Sequence, residues 1–188
     1  MIGTLIGPGA LIAIGGPSGV GKDTLIAHAR ARFAADPRIH FVRRIVTRPA
    51  EAGGEDHLAV SPEEFGRMAA AGAFAVSWHA HGLGYGLPAS LDSAIGAGRV
   101  VVANVSRTML PLLRRRYARV VPVCVTAGPD TLRRRLAARG REDAGEIARR
   151  VARTVAAEAD GAWIELRNDG PVAVAGDALC AIIAGVAG

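Results

Sequence analysis

The 188-residue sequence has only two cysteines, few aromatic residues and no long uncharged apolar run. Cys124 and Cys180 lie in apolar segments without the spacing of a disulfide or a zinc site, so we expect two buried thiols. Half of the residues are apolar, yet no run reaches the length of a membrane span. The first residues also lack the basic start and the cleavage site of a signal peptide. These absences predict a cytoplasmic protein without a membrane partner.

Lysine is almost missing as well. Of 23 basic residues only Lys22 is a lysine, and the excess over 17 acidic residues gives a net charge of +6. A nucleic acid partner is not expected, because aromatic residues make up only 4% of the chain and do not alternate with basic ones. Groups such as Arg114–Arg116 are explained as solvated helix faces, but other arginine clusters favour a phosphorylated small molecule. Those clusters are Arg43-Arg44 with Arg48, Arg133-Arg134-Arg135, Arg139 with Arg141, and Arg149-Arg150.

The single lysine ends a glycine-rich motif of the form GxxxxGK. The motif consists of Gly16, Pro17, Ser18, Gly19, Val20, Gly21 and Lys22. A buried strand at 10–14 is predicted before it, and a helix begins at Asp23. A loop in this context turns its backbone N–H groups toward phosphate oxygens, while the lysine reaches the β- and γ-phosphates. The motif therefore predicts a nucleotide-binding site.

The residue after the lysine is unusual. This position is normally Ser or Thr, whose hydroxyl coordinates magnesium, but here it is Asp23, followed by Thr24. A carboxylate is also a hard oxygen ligand, so Asp23 is a candidate metal ligand. Equally, Asp23 could only cap the N-terminus of the helix. The sequence leaves both interpretations open.

Strand and helix signals alternate along the chain as a doubly wound parallel α/β sheet of about five strands requires, within a single domain. The predicted strands span 10–14, 41–46, 99–105, 120–125 and 163–166, and the later helices span 108–117, 129–138, 143–159 and 171–184. The segment between the second and third strands is too long for a simple crossover, which indicates a small inserted lobe. In this lobe, Ser61 and Glu64 indicate a capping box, residues 74–78 a strand and residues 82–86 a loop.

Beyond the phosphate loop, the chain carries a series of short motifs in a fixed order. They are Thr47-Arg48-Pro49, Gly54-Glu55-Asp56, Val60 to Phe65, Gly72-Ala73-Phe74, Trp78, Tyr85-Gly86, Arg139-Gly140 and Arg149-Arg150. In this order the chain resembles the guanylate kinase family over nearly its whole length. The resemblance implies a P-loop fold with its core at 1–46, 98–128 and 160–188, a substrate lobe at 47–97 and an arginine-rich lid at 129–159.

The chain departs from guanylate kinases where those enzymes read the base. Ser77 stands in place of a glutamate that recognises guanine, and His57 in place of a phosphate-binding tyrosine. Asn104 replaces an aspartate near the end of the third strand, and Ser106 and Arg107 also differ. A purine pocket would therefore lack the side chain that recognises the base, whereas the phosphate-binding arginines remain. With these differences, the chain resembles a branch of the family that phosphorylates a sugar bisphosphate.

The resemblance implies transfer of a phosphoryl group from ATP, with Mg²⁺, to the 1-phosphate of ribose 1,5-bisphosphate, giving phosphoribosyl diphosphate in phosphonate breakdown. It assigns catalysis to Lys22, Arg139 and Arg150, with Arg135 and Arg141 as additional candidates, and the adenine contact to Asn168-Asp169. Arg48 and Tyr85 match acceptor-phosphate ligands. The further acceptor-site predictions are Arg44, Asp56, His57, Ser77, His79 and His81.

Two other functions stay open at this point. A nucleoside monophosphate kinase would share the phosphate loop, although Ser77 argues against base recognition. Some guanylate-kinase-like domains are non-catalytic binding modules, but those typically have degraded phosphate loops, whereas Lys22 is present here. The sequence does not decide the oligomeric state, and a homodimer is compatible with it.

Overall fold

The computed structural model describes residues 4–49, 55–138 and 163–188. Its larger sheet has five strands, which are β1 Ala10–Gly15, β2 Ile39–Phe41, β7 Val100–Asn104, β8 Val120–Thr126 and β9 Ile164–Arg167. All five are parallel and lie in the order β2-β7-β1-β8-β9. The predicted five-stranded parallel sheet is confirmed, and β1 lies at its centre.

Helices cover both faces of this sheet, because its central strands are apolar on both sides. Every residue of β1 is buried, and alternate residues point into two different hydrophobic clusters. The described helices are α1 Lys22–Arg32, α2 Pro62–Ala70, α3 Ser90–Gly96, α4 Leu110–Arg116, α5 Pro129–Ala138 and α6 Val172–Ala187. Residues of α1, α5 and α6 belong to one cluster, and residues of α3 and α4 to the other. This is the doubly wound arrangement that the sequence predicts.

The segment between β2 and β7 forms a smaller sheet of four strands, which are β3 Ile45–Val46, β4 Leu58–Ala59, β5 Phe74–Ala80 and β6 Leu83–Pro88. They lie in the order β4-β3-β6-β5. The predicted strand at 41–46 is wrong, because the chain leaves the large sheet after Val42 and joins the small one at Ile45. Arg43 and Arg44 occupy the crossing point, where their side chains form ion pairs.

The predicted loop at 82–86 is also wrong, since most of this segment belongs to β6. Gly82 does lie in a turn, at a φ of 73°, but Gly84 and Gly86 are strand residues that leave room for aromatic rings. A Cβ at Gly86 would lie 2.4 Å from Cε1 of Phe74, and one at Gly84 would lie 3.1 Å from the Phe65 ring. In the sequence, glycines that make room for close packing in a strand cannot be distinguished from glycines of a loop.

The remaining local predictions are largely confirmed where the structure describes them. Ser61 accepts a hydrogen bond from the amide of Glu64 at 3.1 Å, as a capping residue does, which confirms one half of the predicted capping box. The Glu64 carboxylate, which was expected to reach back to Ser61, accepts from Nε of Arg67 at 3.0 Å. The helix predicted at 108–117 begins as a 3₁₀ turn, Arg107–Met109, before α4. The helix predicted at 143–159 lies outside the described residues, and of the predicted lid only α5 is described. None of the described helices is long and apolar enough to span a membrane.

Candidate active site

The phosphate loop joins β1 to α1 in a conformation that requires glycine. Gly16, Gly19 and Gly21 have φ angles of 137°, 93° and 93°, which side chains disfavour. A Cβ at Gly16 would lie only 2.4 Å from the carbonyl oxygen of Val125 on the neighbouring strand β8. The loop is therefore held against the end of the sheet, next to the first turn of α1.

Lys22 is held against this loop. Its Nζ donates hydrogen bonds to the carbonyl oxygens of Gly16 and Pro17, both at 2.8 Å. Burial lowers the pKa of Lys22 to about 8, with Asp23 opposing that shift and Arg44 adding to it. An ammonium group this poorly solvated gains strongly from an anionic partner, which a nucleotide phosphate would supply.

Asn168 supports the loop from beneath. It is only 2% exposed, and its Nδ2 donates to the carbonyl oxygen of Val20 at 2.7 Å. Arg135 on α5 donates to the same oxygen at 3.1 Å. The Oδ1 atom of Asn168 is buried without a partner among the described residues. The side chain thus lies behind the loop and does not line the cavity, and the predicted adenine contact stays untested.

Asp23 faces the end of β7. Its Oδ1 accepts a hydrogen bond of 2.9 Å from Nδ2 of Asn104, and both residues line the cavity described below. Thr24 is exposed and does not line it. The side chains of Asp23 and Asn104 thus place hard oxygen atoms beside the phosphate loop, and Mg²⁺ prefers such ligands. The described residues contain no group of three or more His, Cys, Asp or Glu side chains that could hold a metal, so phosphates and water would complete the coordination.

The wall opposite the phosphate loop is built on the small sheet around one ion pair. Arg44 donates from Nε to Oε1 of Glu55 at 2.5 Å and makes a second, parallel bond to Oε2; both side chains are about nine-tenths buried. The Arg44 guanidinium lies 5.1 Å from the centre of the Tyr85 ring, and Tyr85 stacks on Trp78. This arrangement fixes a guanidinium, a carboxylate and a phenol along one side of the cavity.

Arg48 extends this wall, and His57 lies behind it. His57 is 4% exposed, and its ring nitrogens lie 2.9 Å from the carbonyl oxygen of Glu55 and 3.0 Å from that of Arg48. Arg48 lines the cavity, and its buried Nε has no partner among the described residues. His57 therefore joins the two ends of the segment that carries Arg48 and Glu55, whereas the sequence predicted a direct acceptor ligand.

Three other predicted acceptor residues do not lie in the cavity. Asp56 pairs instead with Arg30 at 3.0 Å and Arg43 at 2.8 Å. Ser77 and His79 are exposed and alternate along β5 with Trp78 and Ala80, which do line the cavity. Successive residues of a strand point to opposite faces, so the sequence neighbours of a wall residue point away from it.

A single cavity of about 480 Å³ connects the two walls. On the loop side it is lined by predicted residues: Gly16, Pro17, Ser18, Gly19, Gly21, Lys22 and Asp23. On the small-sheet side it is lined by Arg44, Arg48, Glu55, Trp78, Ala80, His81, Leu83 and Tyr85. Sequence reasoning assigned no role to Glu55, to Asn104 at the end of β7 or to the lining residues that follow it, which are Val105, Ser106, Arg107 and Thr108. Arg139, Arg141 and Arg150 lie outside the described residues.

The parallel sheet, the glycine loop and the buried lysine define a P-loop nucleotide-binding protein with a second, cationic wall facing the loop. Guanylate kinase from Anaplasma phagocytophilum shares this fold, with a TM-score of 0.66 at 19% identity over 97% of this chain and 88% of that one. A gluconokinase from Sinorhizobium meliloti is similar at a TM-score of 0.52 and 15% identity over 98% of this chain and 95% of that one.

Sequence relatives narrow this class. An AAA domain family model matches residues 12–156. The protein named ribose 1,5-bisphosphate phosphokinase PhnN from Rhodopseudomonas palustris is 53% identical over 93% of this chain and 89% of its own. Proteins with the same name from Pseudofrankia inefficax and Agrobacterium fabrum are 50% and 45% identical, covering 97% and 95% of this chain and 95% and 98% of their own. The chain therefore belongs to the AAA domain family and to the ribose 1,5-bisphosphate phosphokinase family.

Proposed function

We propose that this protein transfers the γ-phosphoryl group of ATP to the 1-phosphate of ribose 1,5-bisphosphate, giving 5-phospho-α-D-ribose 1-diphosphate. The observation that carries the proposal is a cavity in which a phosphate loop faces Arg44, Arg48 and Tyr85. Relatives at about half identity carry the name of this activity over nearly their whole length. Phosphonate breakdown is the metabolic setting that this activity implies.

On the donor side, the loop amides and Lys22 hold the phosphates of the nucleotide. The Lys22 ammonium now contacts two loop carbonyls, and a phosphate would offer it a charged partner in the same poorly solvated place. When bound, Mg²⁺ would neutralise charge on the nucleotide phosphates, and Asp23, whose carboxylate accepts a hydrogen bond from Asn104, is placed to hold it. The proposal also includes Arg139 and Arg150, as cations that contact the transferred phosphoryl group.

On the acceptor side, the wall supplies fixed charges to a doubly phosphorylated sugar. Arg48 and Tyr85 are proposed phosphate ligands, because both line the cavity and the buried Nε of Arg48 has no partner in the part of the chain that the structure describes. Arg44 keeps its remaining N–H groups for phosphate, while Glu55 holds its guanidinium in place. Glu55 also has lone pairs left that can accept from sugar hydroxyls.

The acceptor group needs no strong general base. A phosphate monoester is already ionised near neutral pH, so its oxygen can attack the γ-phosphorus directly. The residues of both walls then contribute by positioning the two phosphates in line and by balancing the charge between them. Exclusion of water from the cavity would strengthen each of these interactions.

The proposal is tested by ADP release with ATP and magnesium, offering ribose 1,5-bisphosphate and GMP separately. We expect turnover only with the sugar bisphosphate. Lys22→Ala should abolish turnover, because the transition state loses its buried cation, while binding of ribose 1,5-bisphosphate measured by calorimetry persists. An unchanged rate in Lys22→Ala would contradict the role of the loop. Turnover of GMP alone would favour a nucleoside monophosphate kinase, and none with either acceptor would favour a binding module.

A further inference from the structure

We propose that Asp23 and Asn104 form a metal site in which the carboxylate follows the phosphate-loop lysine, where a hydroxyl is usual, and a neutral amide ends the neighbouring strand, where an aspartate is usual. In this site Asp23 on α1 contacts Mg²⁺, and Asn104 on β7 is the positioning residue that orients it. The inference rests on the proposed ATP-dependent activity, but it concerns the metal that accompanies the nucleotide and does not depend on the acceptor.

P-loop proteins commonly hold Mg²⁺ with a hydroxyl from the residue after the lysine and an aspartate at the end of a neighbouring strand. This chain has the opposite distribution of charge. Asp23 follows the lysine, and the strand next to β1 ends in Asn104. Each change alone would alter the charge of the site by one unit, but together they leave a single carboxylate.

The fold brings the two positions together. Strand β7 pairs with β1 in parallel, and Asn104 lies opposite Ile14, directly before the phosphate loop. Asp23 lies in the first turn of α1, on the other side of that loop. Nδ2 of Asn104 donates to Oδ1 of Asp23 at 2.9 Å, and Asn104 is only 6% exposed. A buried amide therefore fixes the direction of the carboxylate, and Oδ2 is the oxygen left for the ion.

The alternative, that Asp23 only caps α1, fits the structure less well. The N-cap of α1 is Gly21, and no side chain forms a capping hydrogen bond there. The carboxylate of Asp23 instead accepts a hydrogen bond from Asn104 at the end of β7. An aspartate at position 104 would place two carboxylates at this distance, which is unfavourable without a cation between them. The asparagine is thus explained by the presence of Asp23.

The test measures Mn²⁺ binding by electron paramagnetic resonance, using the protein saturated with a non-hydrolysable ATP analogue and no acceptor. Asp23→Asn should weaken Mn²⁺ binding by about tenfold or more, since the site loses its only carboxylate while keeping its shape. Asp23→Asn combined with Asn104→Asp exchanges the two residues and should recover most of that loss. Asn104→Leu, which keeps Asp23 but removes the amide that orients it, should show an intermediate loss.

Two results would overturn the inference. Mn²⁺ affinity unchanged in Asp23→Asn would show that Asp23 is not a ligand, and an exchanged double variant no better than Asp23→Asn would show that the positions are not interchangeable. Binding of the analogue in EDTA verifies that each variant retains its phosphate loop. A wild-type protein that binds Mn²⁺ and nucleotide as expected, yet does not phosphorylate the sugar, would contradict the proposed function and leave this inference standing.

Discussion

The two walls of the cavity achieve their shape by different means. The phosphate loop relies on backbone geometry, with three glycines at positive φ and the carbonyl of Val20 held from below. The wall on the small sheet relies on side chains, with one buried ion pair stacked on an aromatic pair. The loop should therefore be sensitive to added atoms, and the opposite wall to lost charges.

The largest effect is expected from breaking the ion pair. Glu55→Ala leaves the Arg44 guanidinium buried without its partner, and we expect the free energy of unfolding to fall by about 3 kcal/mol. Arg44→Met together with Glu55→Ala removes both charges and should lower the free energy of unfolding clearly less than Glu55→Ala alone. Urea denaturation measures both variants.

The matched control is the exposed pair between Arg67 and Glu64 on α2. Arg67→Ala should change stability by no more than about 0.5 kcal/mol, because water screens this pair. Equal losses from the buried and exposed pairs would contradict the importance given to Arg44 and Glu55.

A smaller effect is expected when the loop is distorted. Gly16→Ala would place a Cβ against the Val125 carbonyl at a φ of 137°, so we expect nucleotide affinity to fall by about tenfold or more. Gly72→Ala provides the control, since Gly72 also has a positive φ of 69° but has nothing within 4 Å of the added carbon. It should lose about 1 kcal/mol of stability and keep its nucleotide affinity. If Gly72→Ala lowered the nucleotide affinity as much as Gly16→Ala, the contact between the added Cβ and the Val125 carbonyl would not be the reason for the loss.

The different construction of the two walls also explains what could be predicted. The loop is contiguous, and its spacing depends on the chemistry of phosphate binding, so most of its residues could be named from the sequence. The opposite wall gathers residues from both sides of β3, from β5 and β6, and from the segment around Glu55. Ser77 and His79 lie outside the cavity because alternate residues of β5 point to opposite faces. Asp56 lies outside it as well, in an ion pair with Arg30. Glu55 was missed because its partner, Arg44, is eleven residues away in sequence.

Asn168 offers a test of how the loop is supported. Asn168→Ala removes the hydrogen bond to Val20, and we expect a loss of about fivefold in affinity. If the side chain supports the loop, binding of ATP and of inorganic tripolyphosphate should weaken by the same factor. A loss for ATP alone would show that Asn168 contacts the adenine, as the family resemblance implies. Competition binding in EDTA separates these outcomes.

The lowered pKa of Lys22 gives the smallest signal. A pKa of about 8 means that Lys22 is mostly neutral at pH 9 in the free protein. A bound phosphate stabilises the ammonium and raises the pKa of Lys22, so nucleotide binding at pH 9 should take up most of a proton, and at pH 6.5 almost none from this group. Calorimetry in buffers of different ionisation enthalpy measures the uptake. Lys22→Arg should abolish it, because arginine stays charged, and uptake that persisted in this variant would assign the proton to another group.

The most direct test of the account is the identity of the product. Phosphorus NMR of a reaction containing ATP, magnesium and ribose 1,5-bisphosphate should show the 1-phosphate signal replaced by the coupled pair of a diphosphate, while the 5-phosphate signal remains. The same preparation should leave GMP unchanged. A new diphosphate formed on GMP, with the ribose 1,5-bisphosphate signals intact, would contradict the account.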